Sequence, residues 1–160
     1  MMNLLTKSVL YNITLSILSH LERFGLVQKS RELGFVKNAI EKLNIKVSDV
    51  NIPVQQLSGG NQQKVVLAKL TGRSPKILML FDSTRGVDVG TKSEIFQLLR
   101  EITKNNASVL LYSTTSDELV NMCDRILVMR EGKIQSELTS GNITSENLIR
   151  ASLGETINSL

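Results

Sequence analysis

The sequence predicts an α/β fold organised around a parallel sheet, on three observations. Apolar runs at 77–81, 108–112 and 125–129 are continuous rather than alternating, as expected of strands buried on both faces. Segments with helical spacing separate them, over 58–70, over 91–104 and from Ser116 onwards. The chain has 160 residues, 41% of them hydrophobic, which suits one domain with a core of its own.

Ahead of about Pro53 the pattern is helical. Val9, Leu10, Ile13, Ile17, Leu18 and Leu21 recur at helical spacing and predict one helix over 6–23. Leu33, Val36, Ile40 and Leu43 mark one face of a second, over 28–43. Residues 47–56 read as a loop holding Asp49, Asn51 and Pro53. The N-terminal stretch lacks a basic segment and a small-residue cleavage site, so it reads as a packed helix rather than a signal peptide.

After Pro53 the elements alternate. Ser58-Gly59-Gly60 opens a helix that Gly72, Ser74 and Pro75 stop. Ile77–Phe81 is the first strand, and the helix over 91–104 carries Ile95, Leu98, Leu99 and Ile102 on one face. Asp117 and Glu118 sit in the first turn of the helix begun by Ser116, where acidic residues favour the helix dipole. Glu131-Gly132 reads as the turn of a hairpin into 133–137, and Thr144 or Ser145 caps a last helix to about Leu153.

Composition excludes several classes. The net charge is +4, but the charges are scattered and form no basic run, so they read as solvated surface and not as a nucleic-acid face. A single cysteine, Cys123, rules out an internal disulfide and suits a reducing compartment. No apolar run approaches the roughly 20 residues of a membrane helix. The lone histidine, His20, falls in the first helix and reads as a half-buried helix residue. GxGxxG, HExxH, CxxC and GxSxG are all absent, so dinucleotide, zinc and serine-hydrolase chemistry find no support, and no metal site is expected.

The motif that carries chemistry is Leu57-Ser58-Gly59-Gly60-Asn61-Gln62-Gln63-Lys64. A glycine turn feeding a helix brings backbone amides close to an anion, and the helix start adds about half a positive charge. On residue chemistry alone, an ordinary capped helix and a phosphate-binding turn both fit.

The string as a whole resembles the signature motif of ATP-binding cassette proteins, and Asn61-Gln62-Gln63-Lys64 resembles its form in monosaccharide importers of the ribose, galactose and xylose type. At the family's spacing, Pro75 to Asp88 resembles the Walker B strand and D-loop. Phe81 then takes the position of the metal-binding Asp, Asp82 that of the catalytic Glu, and Ser83 that of a Pro; Thr84, Arg85, Gly86 and the D-loop Asp88 match. A register shifted by one would make Asp82 the metal-site carboxylate and leave Ser83 in place of the base. In either register one carboxylate is missing. Leu110 to Leu119, followed by Cys123 to Met129, resembles the switch region, with Thr114 at the switch histidine position. Residues 8–15 resemble the start of the helical subdomain.

The resemblance, which spans about Ser8 to Leu153, implies a P-loop NTPase-like parallel sheet with an N-terminal helical subdomain. Part of that subdomain would occupy 1–56; the signature helix, Walker B, D-loop and switch would occupy 57–160. No G-x-x-x-x-G-K-[ST] occurs, so the Walker A half is absent from this sequence. The expectation is the C-terminal part of the second nucleotide-binding domain of a fused pair, a fragment rather than a decayed remnant, with a Walker A motif upstream.

The implied site residues are Ser58, Gly59, Gly60 and Gln62 of the signature, Asp88 of the D-loop, Thr114 of the switch, and Asp82 as the catalytic position. The implied ligands are ATP and Mg²⁺, shared with a partner domain. The implied partners are a second nucleotide-binding domain, transmembrane permease subunits and, indirectly, a sugar-binding protein, at the cytoplasmic face of the membrane. The chain alone is expected to lack ATPase activity and to be poorly soluble. Two other readings are a degenerate non-catalytic remnant and a soluble cassette protein acting away from membranes. The second would call for coiled-coil insertions or basic arms, and the sequence contains neither.

Overall fold

The computed structural model describes residues 4–155 and 157. They fall into two compact units, residues 4–79 with Ser83–Leu110, and Leu80–Asp82 with residues 111–155 and 157.

In the first unit, α1 (Val9–Thr14) is capped by Ser8, whose Oγ accepts the Tyr11 amide. The helix expected over 6–23 is broken. It stops at Thr14, resumes as the single turn α2 (Leu18–Leu21), and gives way to a hairpin of β1 (Glu22–Arg23) and β2 (Leu26–Val27). A long-range side-chain bond accompanies the break. The Thr14 hydroxyl donates back to the Leu10 carbonyl at 3.0 Å, and Ser16 Oγ donates to the Lys69 carbonyl at 2.5 Å, drawing the chain onto the later helix. Phe24 and Gly25 both take positive φ, 54° and 78°, which reverses the chain. His20 lies exposed on α2, not half-buried.

Asn12 is fully buried and satisfied by its own neighbourhood: its amide donates to the carbonyls of Leu4, Lys7 and Ser8, and its Oδ1 accepts the Leu4 amide. It pins the segment before α1. α3 (Lys29–Lys42) and α4 (Gly59–Thr71) both pack on α1, and a 3₁₀ turn at Val54–Gln56 leads into α4. Val9, Ile13, Val36, Val54 and Val65 are fully buried in this unit, each worth about 1.5–3 kcal/mol of apolar burial. α5 (Val89–Lys104) packs on α4 and buries Ile95 and Leu99.

β3 (Ile77–Phe81) and β4 (Ser108–Tyr112) pair with each other. The Ser108 amide bonds the Lys76 carbonyl and the Asp82 amide bonds the Tyr112 carbonyl, so both strands run in the same direction, as the α/β reading requires. Burial on both faces is not what the structure has. Along β3, Leu78 and Leu80 are buried while Ile77, Met79 and Phe81 are 65%, 71% and 75% exposed. The strand alternates because only one of its faces is covered among the described residues.

The second unit contains α6 (Ser116–Met122), β5 (Arg125–Arg130), β6 (Lys133–Thr139) and α7 (Ser145–Leu153). The expected hairpin is present: β5 and β6 pair antiparallel through Glu131 and Gly132, at φ 50° and 76°. Among the described residues β5 pairs with β6 and does not extend the parallel pair. Ile126, Val128, Leu138, Leu148 and Ala151 form this unit's core, flanked by Leu119, Val120 and Cys123. Thr144 caps α7 by accepting the Asn147 amide, and Gly154, at φ 101°, ends it.

Candidate functional site

α4 begins where the sequence places it. Ser58 is its N-cap, with extended backbone, and its side chain makes no capping bond within the helix. The first bond of the helix is from the Gln62 amide to the Ser58 carbonyl at 2.9 Å. Helix geometry therefore leaves the amides of Gly59, Gly60 and Asn61 without intrahelical acceptors. Ser58 and Gly59 are exposed, so this end of the helix faces outward. Asn61 holds the turn, donating to Ser58 Oγ at 2.9 Å and accepting the Lys46 amide at 2.8 Å. Gln62 turns back, its Nε2 donating to the Leu57 carbonyl at 2.9 Å. Amides without intrahelical acceptors, a hydroxyl and the positive end of a helix dipole together suit an anionic oxygen.

The two glycines do different things. A Cβ on Gly59 would find its nearest neighbour, the Gly86 carbonyl oxygen, at 3.9 Å, so the position is open. A Cβ on Gly60 would collide with the Thr91 side chain. Gly60 lets α4 lie against the start of α5.

That contact brings in Asp88. It is the N-cap of α5: Oδ1 accepts the Thr91 amide at 2.9 Å and Oδ2 the Thr91 hydroxyl at 2.7 Å. These bonds, the amide's foremost, hold the Asp88 carboxyl below its usual range. One turn on, Lys64 of α4 donates to Glu94 of α5 and, at 2.9 Å, to the Asn44 carbonyl. Lys64 is 3% exposed and Glu94 47%. The hydrogen bond from Lys64, then its charge, lowers the Glu94 pKa. Lys46, Ser58, Asn61, Lys64, Thr91 and Glu94 line a shallow polar depression of about 150 Å³ beside the turn.

Asp82 and Thr114 lie in the second unit and meet there. Asp82 Oδ1 accepts the Thr114 amide at 2.9 Å and the Thr114 hydroxyl at 3.2 Å. Asp82 takes a φ of 44°, which Asp tolerates better than most side chains. The Phe81 ring stacks on Tyr112, with centroids 4.2 Å apart and planes 5° off parallel. Glu118 accepts from Ser113 Oγ, which in turn accepts the Thr115 amide, and so orders the loop around Thr114. Phe81 offers no atom to a metal, and the Asp82 oxygen facing Thr114 is already engaged. This pair of positions does not fit a Mg²⁺ site. Among the described residues no cluster of three or more His, Cys, Asp or Glu could hold a metal.

Sequence reasoning singled out Ser58, Gly59, Gly60, Gln62 and Asp88, and the structure places them at the starts of α4 and α5, where Gly60 lies against Thr91. It missed Thr91 and Glu94. The signal for Thr91 was present, because Asp88 and Thr91 stand three apart as an N-cap and its amide partner do. Nothing local marked Glu94, which meets Lys64 from 30 residues away.

No family model matches the chain. It is 42% identical over 150 residues to a ribose import ATP-binding protein of Mesorhizobium japonicum, covering 94% of this chain and 29% of that protein. It is 42% identical over 151 residues to the ribose import ATP-binding protein of Geobacillus kaustophilus, covering 31% of it, and 43% over 147 residues to one from Rubrobacter xylanophilus, covering 28%. The chain thus spans under a third of the length of these relatives, matching their C-terminal portion. Among solved structures it superposes on a metal-chelate type ABC transporter in an inward-facing conformation, with a TM-score of 0.76, 18% identity, and coverage of 96% of this chain and 61% of that one. An ATP-binding cassette solved as a dimer bound to ADP and Pi gives a TM-score of 0.71 at 20% identity, covering 86% of this chain and 58% of that one. These likenesses bear out the α/β cassette fold.

Proposed function

Because this chain belongs to the ATP-binding cassette proteins, we propose that its signature turn completes an ATP site whose other half stands on a second cassette. Carrying this reading is the start of α4, where Ser58 and Gly59 are exposed, Ser58 makes no capping bond, and the amides of Gly59, Gly60 and Asn61 have no intrahelical acceptor. The γ-phosphate of a nucleotide held by the partner's Walker A loop is the natural occupant. Gln62 and Asp88 flank that occupant, Asp88 from the cap of α5.

The parent protein is then the energy-coupling subunit of a sugar importer, as the names of the relatives suggest for those proteins. It would work with permease subunits in the membrane and, through them, a sugar-binding protein, and would sit at the cytoplasmic face. No described helix is long and apolar enough to cross a membrane itself. ATP and its Mg²⁺ would be held by the partner cassette. The positions on this chain that the resemblance assigns to metal and water, Phe81, Asp82 and Thr114, support a weak site on this chain's own side. The assembly then has one competent site, which borrows this signature, and one impaired site. Mg²⁺ supplies charge neutralisation on the phosphates when bound. This chain's Ser58 and signature amides would orient the γ-phosphoryl group for attack by water.

The test is ATP turnover by the full two-cassette protein. Ser58→Arg places a long side chain across the turn and should reduce turnover by at least about a hundred-fold, in the range for loss of transition-state positioning. Turnover equal to wild type would sink the reading.

A further inference from the structure

The structure ties the starts of α4 and α5 together from beneath. α4 presents Ser58 at its start, and α5 presents Asp88 at its start. Two contacts join them. Gly60 lies against Thr91, which is bonded through both amide and hydroxyl to Asp88. One turn deeper, the buried Lys64 joins Glu94 of α5 to the Asn44 carbonyl of the segment that follows α3. Asn61 adds a further bond to that segment, at the Lys46 amide.

We infer that Lys64 is a positioning residue that fastens the signature turn to the D-loop, so that Ser58 and Asp88 are presented as one rigid body. Its ammonium lies below the surface with two acceptors from two different elements, so it acts through them and does not reach a phosphate. A buried cation needs such partners, and their removal leaves an uncompensated charge or an unpaired carbonyl. The geometry makes Lys64 a clasp between helices that the sequence separates by the whole of β3 and the D-loop. Its consequence for ATP use rests on the proposed function; the mechanical tie does not.

Both parts are tested in the longest native chain carrying these residues, assembled with its partner cassette. Ser58→Ala and Asp88→Ala are combined in a double-mutant cycle read by ATP turnover. With Lys64 in place the two effects should depart from additivity by about five-fold or more, as for residues acting as a unit. In the Lys64→Met and Glu94→Ala backgrounds the cycle should fall within about two-fold of additivity, and Lys64→Arg should restore the coupling. Global destabilisation alone would lower turnover without dissolving the coupling. Coupling that survives both substitutions, or is missing in the wild type, overturns the inference. Glu94 is half-exposed, so Glu94→Ala carries the test if Lys64→Met fails to fold.

If Ser58→Ala leaves turnover untouched, the functional reading fails and the tie is judged by amide hydrogen exchange. Glu94→Ala should then speed exchange at both 58–62 and 88–91 and leave 125–139 as it was. Faster exchange at one of the two segments alone overturns the clasp.

Discussion

Asp82 and Thr114, 32 residues apart, share a single carboxylate oxygen: Asp82 Oδ1 accepts both the amide and the hydroxyl of Thr114. The bond joins the end of β3 to the turn after β4. It also engages the side chain that the resemblance places at the catalytic position. Asn can reproduce both bonds through its carbonyl oxygen and tolerates positive φ, so Asp82→Asn should change stability by less than about 1 kcal/mol. Asp82→Val loses both bonds and forces a β-branched residue to φ 44°, so it should cost at least about 2 kcal/mol. Urea denaturation of the two variants separates these outcomes; equal midpoints would show that the bond contributes nothing.

Gly59 and Gly60 should respond differently to one added methyl. Gly60→Ala drives a Cβ into Thr91, whose own bonds to Asp88 resist movement, and should cost about 1–3 kcal/mol. Gly59→Ala meets open space and should stay within about 0.5 kcal/mol of wild type. Thermal melts of both variants check this. Thr91→Ser, which removes the methyl that crowds Gly60, should recover part of the Gly60→Ala loss.

Stability should decline on acidification through two carboxylates. Asp88 is held low chiefly by the Thr91 amide and Glu94 chiefly by the hydrogen bond from Lys64. A folded-state pKa below the unfolded value means that protons bind more tightly to the unfolded chain. The stabilisation is therefore complete above the ordinary values of 3.8 and 4.5 and is lost as pH falls through the lower folded values. Denaturation midpoints from pH 7 downward should fall less steeply in Asp88→Asn and Glu94→Gln than in wild type. Identical slopes would remove both groups from the acid response.

The uncovered face of β3 should make the isolated chain associate. Ile77 and Met79 are each well over half exposed on alternate positions of one strand. Exposed apolar strand faces promote association. Ile77→Lys with Met79→Lys should lower the mean mass in sedimentation equilibrium and raise solubility. A wild-type chain that is already monomeric and melts sharply would refute this.

The residue string determined a good deal alone. Ser58-Gly59-Gly60 after a loop and before apolar helical spacing marked the start of α4, because glycine and a small hydroxyl residue have few other uses there. The Glu131-Gly132 turn was legible for the same local reason: positive φ at two successive residues is selective. Tertiary structure decided the rest. The helix expected over 6–23 is broken where Ser16 bonds a carbonyl 53 residues away, which helical periodicity cannot register. Ile77 to Phe81 looked buried on both faces because an apolar run states what a strand can bury, whereas burial itself needs a neighbour on each side. Lys64 and Glu94 became partners only when α4 and α5 packed. Charge pairing across 30 residues depends on helix placement, and no local pattern encodes it.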